Sequence, residues 1–283
     1  MEEKKRLTRL KVLRSGDPRS QFVTSNAKEI LARLGHPKFL LSSSSKIRKG
    51  EGFGVLTKVM YFCPGTLCPT ATRGCLASCL AHSSGFMKEQ RAADARDRRT
   101  ALFIEDRQAF IQMLRMELYE HRYNAETQGM TPAIRLNGAS DVRWEIEHPE
   151  LFEEFGDIQF YDYTKLYQRM GYFLLPTGYP APEERQWPEN YHLTFSLSER
   201  NAHHAEQVLE WGGNVAAVFA GDLPKTWLGR PVIDGDKHDA RFLDTNPRSS
   251  RGPVIVGLSA KGFVAKDERN GFVIRPLSQS FLC

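Results

Sequence analysis

The stretch Cys63-Pro-Gly-Thr-Leu-Cys68, continued through Arg73-Gly-Cys75-Leu-Ala-Ser-Cys79-Leu-Ala-His82, decides how this chain reads. Four of the five cysteines in 283 residues fall within it, spaced C-x4-C-x6-C-x3-C. The apolar run Val55 to Phe62 leads into it and reads as a first core strand. A helical pattern leads away from it. The expectation is a Cys-rich loop at the end of the first core strand. No run of ~18 apolar residues exists and the N-terminus has no secretory hydrophobic stretch, so the reading is a cytoplasmic protein with no membrane span. Thiols stay reduced in that compartment, and four of them so close together read as metal binding or catalysis.

Upstream, residues 1–54 read as a basic N-terminal arm and helix, and 55–283 as the main domain. The excess charge behind the net +5 gathers at Lys4, Lys5, Arg6, Arg9, Lys11, Arg14, Arg19, Lys46, Arg48 and Lys49, with a second group at Arg91, Arg96, Arg98 and Arg99. Such surfaces attract nucleic acid or a nucleotide, or are plainly solvated. Ile30, Leu31 and Leu34 share one helical face, and Gly35 stops that helix. The glycine-rich loop at 50–54 lacks the P-loop pattern, which argues against a nucleoside triphosphatase.

Downstream, Phe86 to about Asn124 is helical with a break expected near Thr100. Five more short apolar runs follow, at 133–137, 158–161, 191–195, 214–219 and 253–257, each ending in polar residues. Helical stretches at 147–155, 166–173 and 200–211 lie between several of them. This alternation implies βαβ units and a parallel sheet, hence an α/β fold: a full or partial (β/α) barrel, or an open doubly wound sheet. In a barrel the site lies at the C-terminal rim of the strands.

Cys63, Cys68, Cys75 and Cys79 together can ligate a tetrahedral Zn²⁺ or a [4Fe–4S] cluster, since both take four thiolates. The central gap of six is short for a zinc knuckle, which favours iron–sulfur. His82 or Cys283 can replace one ligand.

A loop of this kind after a first barrel strand resembles the layout of radical S-adenosylmethionine enzymes. Their loop carries C-x3-C-x2-C, and their open iron takes the cosubstrate. Here Cys75-x3-Cys79-x2-His82 has His82 in the third place, and four cysteine ligands would leave no iron open. Over residues 40–265 the chain also resembles the phage gene product 88 family. The likeness lies in Gly74-Cys75…Cys79-Leu80-Ala81…Gly85 and in Arg135-Leu-Asn-Gly-Ala-Ser-Asp141. It implies a phage or mobile-element origin and the barrel layout, without naming a reaction.

Asn137, Asp141, Asp162, Lys165, Ser196, Glu199, Asp222 and Lys261 stand at the expected strand ends. Asp141, Asp162 and Glu199 are candidates for catalysis, because an enclosed carboxylate with a raised pKa can act as a base. Arg135, Asn137, Lys165 and Lys261 are candidates for holding an anionic substrate. Their ordinary alternative is capping and turn chemistry. Asp234, Asp236, His238 and Asp239 offer a second metal site, for Mg²⁺ or Mn²⁺, or else a locked turn. His203 and His204 are adjacent on a helix and point too far apart to share a ligand. Tyr161, Tyr163, Tyr167 and Tyr172 either stack bases or fill the core. Ser196 lacks a nucleophile elbow.

Three functions follow. The first is a radical-SAM-like metalloprotein with an iron–sulfur cluster, acting on an anionic substrate such as a nucleotide or nucleic acid. The second is a zinc-stapled nucleic-acid-binding protein without catalysis, and the third a divalent-metal nuclease or phosphoesterase. Whether the chain is an enzyme stays open at this point.

Overall fold

Alternating apolar runs separated by amphipathic helices bury both faces of a sheet, and the chain folds that way. The computed structural model describes residues 26–83, 85–175, 186–244, 252–260 and 271–275. The six expected runs become strands β2 (Val55–Met60), β3 (Thr131–Arg135), β4 (Gln159–Thr164), β5 (Tyr191–Ser196), β6 (Val215–Phe219) and β9 (Ile255–Ser259). Four short strands join them: β1 (Leu41–Ser42), β7 (Thr226–Trp227), β8 (Arg230–Asp234) and β10 (Val273–Ile274). They form one ten-stranded sheet in the order β1-β2-β3-β4-β5-β6-β9-β8-β7, with β10 on β6. Every pair from β2 through β6 to β9 and β8 is parallel, while β1 and β7 cap the two ends antiparallel.

The sheet is open. No pairing joins its ends among the described residues, so the closed version of the expected barrel does not form. What fills the face that a barrel would enclose is a loop. Val55, Ala133 and Tyr161 pack there against Ala240 and Phe242, and Ala216, Val256 and Leu258 against Tyr163 and Ile233. Alternation along each strand sends the neighbouring residues to the other face. Met60, Ile134, Phe160, Leu193, Val215 and Ile255 lie in the main core there.

That main core is closed by helices. Helix α1 (Ala27–Leu34) stops at Gly35, whose φ of 76° suits glycine. After the short α2 (Arg73–Ala77) and α3 (Leu80–Ser83) come α4 (Gln90–Glu105) and α5 (Arg107–Thr127). The helix expected to break near Thr100 breaks at Asp106, which caps α5 by accepting the Ala109 N–H at 2.9 Å. Then follow α6 (Trp144–Glu147), α7 (Glu150–Glu154), α8 (Tyr167–Leu174) and α9 (Ala202–Glu210). Phe103, Phe110, Leu114, Phe152, Met170 and Val208 bring α4, α5, α7, α8 and α9 onto the sheet. No described helix is long and apolar enough to cross a membrane.

One irregularity positions the site. β5 and β6 pair only through Phe195–Val215 and Ser196–Ala216. Beyond that, β10 takes over the edge of β6 at Val218 and Phe219. The sheet therefore parts at the C-terminal ends of its central strands, and a crevice there is where open parallel sheets bind ligands.

Candidate functional site

The cysteine segment begins where β2 ends. The Cys63 N–H donates to Thr100 Oγ1 at 2.8 Å, and that hydroxyl donates to the Arg96 carbonyl at 2.7 Å. This turns the Cys63 side chain into an apolar cluster with Ala27, Ile30 and Ala101, where it is fully buried. A tight turn follows, with Gly65 at φ 79° and the Thr66 N–H bonded to the Cys63 carbonyl. The chain then reverses toward the sheet.

Cys68, Cys75 and Cys79 line one cavity of about 240 Å³ at the parting of the strands, and Cys63 is not in its wall. The Cys68 thiol donates to the Ala139 carbonyl at 3.4 Å. Thr72 caps α2, accepting the Cys75 N–H at 3.1 Å. Its hydroxyl donates to Glu199 Oε2 at 2.7 Å, and the Gly74 N–H donates to Glu199 Oε1 at 2.9 Å. A carboxylate from the loop after β5 thus grips the cysteine segment with both oxygens. Burial, then the neighbouring Cys79 and Cys75, raise the Cys68 thiol well above its ordinary range. Burial and Cys75 push Cys79 up to about 11, against the pull of Arg96 and Lys165. None of the four is in a disulfide. Among the described residues no group of three or more His, Cys, Asp or Glu is arranged to hold a metal ion as it stands.

The strand-end residues separate by face. Asp162 points into the helix side, fully buried, and accepts the Asn137 N–H at 2.7 Å, Asn137 Nδ2 at 3.1 Å and the Tyr191 hydroxyl at 2.8 Å. Burial raises its pKa to about 7 against the opposing pull of Arg135. Asp141 accepts the Thr164 hydroxyl, the Lys165 N–H and Arg169 Nη1, the last at 2.7 Å. Arg169 also grips Glu145 with two bonds of 2.8 and 2.7 Å. Each of these carboxylates is occupied in holding the loops after β3 and β4. Gly138 joins that construction, because a Cβ there would meet the Met60 carbonyl at 2.6 Å and the Tyr61 ring at 2.7 Å.

Facing the cavity are Asn137, Ser196 and three cations, Lys46, Arg135 and Lys165. Arg135 lies 4.6 Å from the Tyr163 ring and pairs with Asp239 at 3.1 Å, across 104 residues of chain. Lys46 pairs with Asp239 at 3.4 Å and Asp236 at 3.8 Å. Lys165 Nζ donates to Ser196 Oγ at 2.7 Å and stands 5.6 Å from the Phe272 ring.

The acidic run 234–244 is therefore a plug over the sheet face. Asp234 accepts the Asp236 N–H in a turn, Asp236 accepts the Ser259 N–H, and His238 meets the Phe53 ring at a tilt, with centroids 4.7 Å apart. Asp239 and Arg241 are buried. Asp234, Asp236, His238 and Asp239 do not converge as a metal site. Nor are Arg96 and Arg99 a basic surface, since they are 1% and 8% exposed. Arg99 bonds the Phe39 carbonyl and Ser42 Oγ instead. His204 stacks on Tyr167 at 4.2 Å, and Asp222 is exposed. Lys261, Cys283 and the basic residues of the arm before 26 lie outside the described residues, as does the side chain of His82.

Glu145, Arg169 and Thr72 carry this geometry without having stood out in the sequence, and Lys46, read there only as part of a basic cluster, pairs with Asp239. Only Thr72 left a signal, as a capping residue before Arg73-Gly-Cys75. The others act across long stretches of chain.

Fold and site together define an α/β protein whose mostly parallel, open sheet carries a cysteine-lined cavity at its strand ends. The chain belongs to the Gene product 88 family, whose model matches residues 22–276. No curated protein and no solved structure matches it significantly.

Proposed function

We propose that Cys68, Cys75 and Cys79 hold an iron–sulfur centre, a [4Fe–4S] cluster, at the mouth of a partial (β/α) barrel, and that the adjoining cavity receives an anionic substrate. The observation that carries this is the division among the four cysteines: three line one cavity at the strand ends, and Cys63 is packed in apolar core. Three protein thiolates leave one iron without a protein ligand, unlike the four-cysteine arrangement of simple electron carriers. That restores the feature that four ligands would remove, a coordination position open to S-adenosylmethionine. The thiols of Cys68, Cys75 and Cys79 are close enough to raise one another's pKa, as groups that could share one centre must be. Bound there, the cluster would supply one-electron chemistry. The chain's own part is to hold the thiols through Glu199 and Thr72 and to present Lys165 and Ser196 to the substrate. The buried Asn137 amide, bonded to Val142, Ser140 and Asp162, holds the loop after β3.

The test is anaerobic purification with iron and sulfide analysis of the wild type and of Cys→Ser variants at 63, 68, 75 and 79. The expected outcome is about four irons per chain, lost on changing Cys68, Cys75 or Cys79 and kept on changing Cys63. A colourless protein with one zinc sinks the iron–sulfur reading.

A further inference from the structure

We propose that the cavity takes a small ligand with one anionic group, seated on Lys165 and Ser196, and an uncharged apolar or aromatic body, and does not take the backbone of a polynucleotide. This deepens the reading of the cavity as a substrate site and rests on it, while leaving aside which centre the thiols hold.

The argument is one of charge. Among the described residues Lys46, Arg135 and Lys165 line the cavity, and the first two are matched. Arg135 and Lys46 share Asp239 at 3.1 and 3.4 Å, and Lys46 also meets Asp236. Asp141, another carboxylate in the wall, is held by Arg169 at 2.7 Å. Lys165 differs. Its ammonium donates to the Ser196 hydroxyl, and no carboxylate among the described residues pairs with it. A partly buried ammonium bonded to a hydroxyl, at the edge of a cavity, is a seat for one carboxylate or phosphate oxygen set. A polynucleotide needs a row of cations along its phosphates, and among the described residues the cavity offers one cation without a carboxylate partner.

The rest of the wall fixes the body of the ligand. Leu76, Ala216, Val218, Leu258 and Phe272 line it. An apolar wall with a few placed polar groups is the usual composition of a small-molecule pocket. Phe272 lies near Lys165 as well, so ring and charge are presented side by side.

Isothermal titration of the full chain, as purified, tests this with phenyl phosphate, benzoate, benzyl alcohol and a single-stranded oligonucleotide. Phenyl phosphate or benzoate binds, and the stronger of the two identifies the head group as phosphate or carboxylate. Benzyl alcohol does not bind measurably. Lys165→Met weakens the anion roughly tenfold or more, and Lys165→Arg recovers part of the loss, which a folding defect would not allow. Three results overturn the proposal: neither small anion binding, Lys165→Met binding like wild type, or the oligonucleotide binding more tightly than both anions through Lys165. Iron content is read separately, so a metal-free protein that still binds phenyl phosphate refutes the cluster and leaves this assignment standing.

Discussion

Glu199 accepts the Thr72 hydroxyl at 2.7 Å across 127 residues of sequence, and so ties the end of β5 to the cysteine segment after β2. Its second oxygen takes the N–H of the buried Gly74, in the first turn of the short helix that carries Cys75. A carboxylate whose strand-end position made it a candidate base thus spends both oxygens on the cysteine segment. Glu199→Ala removes two charge-assisted bonds at a partly exposed site and should cost about 2 kcal/mol. Thermal unfolding reads that loss. Iron retention after a chelator challenge should fall with it, and Glu199→Gln should fall between. Unchanged retention in Glu199→Ala would contradict the positioning role.

Cys63 and Cys68 are five positions apart but serve different ends. Cys63→Ala leaves a small void among Ala27, Ile30 and Ala101 and should cost about 1 kcal/mol with no loss of metal. Cys68→Ala, Cys75→Ala and Cys79→Ala should each lose the metal. Chemical denaturation and metal analysis on the same samples separate the two classes.

Arg169 holds Asp141 and Glu145, and all three side chains are buried. Arg169→Met leaves two buried carboxylates unmatched and should destabilise the protein by about 3–5 kcal/mol. Replacing the whole trio with apolar residues of similar volume should recover much of that. Urea midpoints of the single and triple variants decide it. A single variant as stable as wild type would mean that the network contributes little.

Asp162 gives stability a pH dependence with a definite sign. Its pKa rises from 3.8 to about 7 on folding, chiefly through burial. Between those values the unfolded chain releases the proton that the folded protein keeps. The contribution of Asp162 is present below the lower value and is lost as pH rises through the higher one, at roughly 1.4 kcal/mol per pH unit. His121 and His192, both lowered to about 4 by burial, act in the opposite direction up to about pH 6.5. The two effects mask each other in the wild type, so the informative quantity is wild type minus Asp162→Asn. That difference should shrink from pH 4 to pH 7 in denaturant melts. Parallel curves would refute it.

The strands and helices were legible because their signals are local. Alternation in Val55-Leu-Thr-Lys-Val-Met60 and the apolar spacing of Phe110, Leu114 and Leu118 depend only on neighbours in the chain. The family likeness was legible for the same reason, since it rests on contiguous residues about Cys75 and Arg135. Partnership was not legible. Asp141, Asp162 and Glu199 looked alike at their strand ends, yet two are tied into the helix side and one grips the cysteine loop. Asp239 stood among candidate metal ligands in the sequence, and in the fold it is paired with Arg135 of β3 and Lys46 of the loop after β1.

By itself, then, the sequence determined an α/β chain of parallel strands with a cysteine segment after the first long one, because strand and helix follow the period of apolar residues. Only the tertiary structure decided that the sheet stays open, that a loop covers its inner face, and that Cys63 parts company with Cys68, Cys75 and Cys79. The physical reason is that a side chain's direction and its charge partner are set by what packs against it, and those neighbours are scattered along the chain.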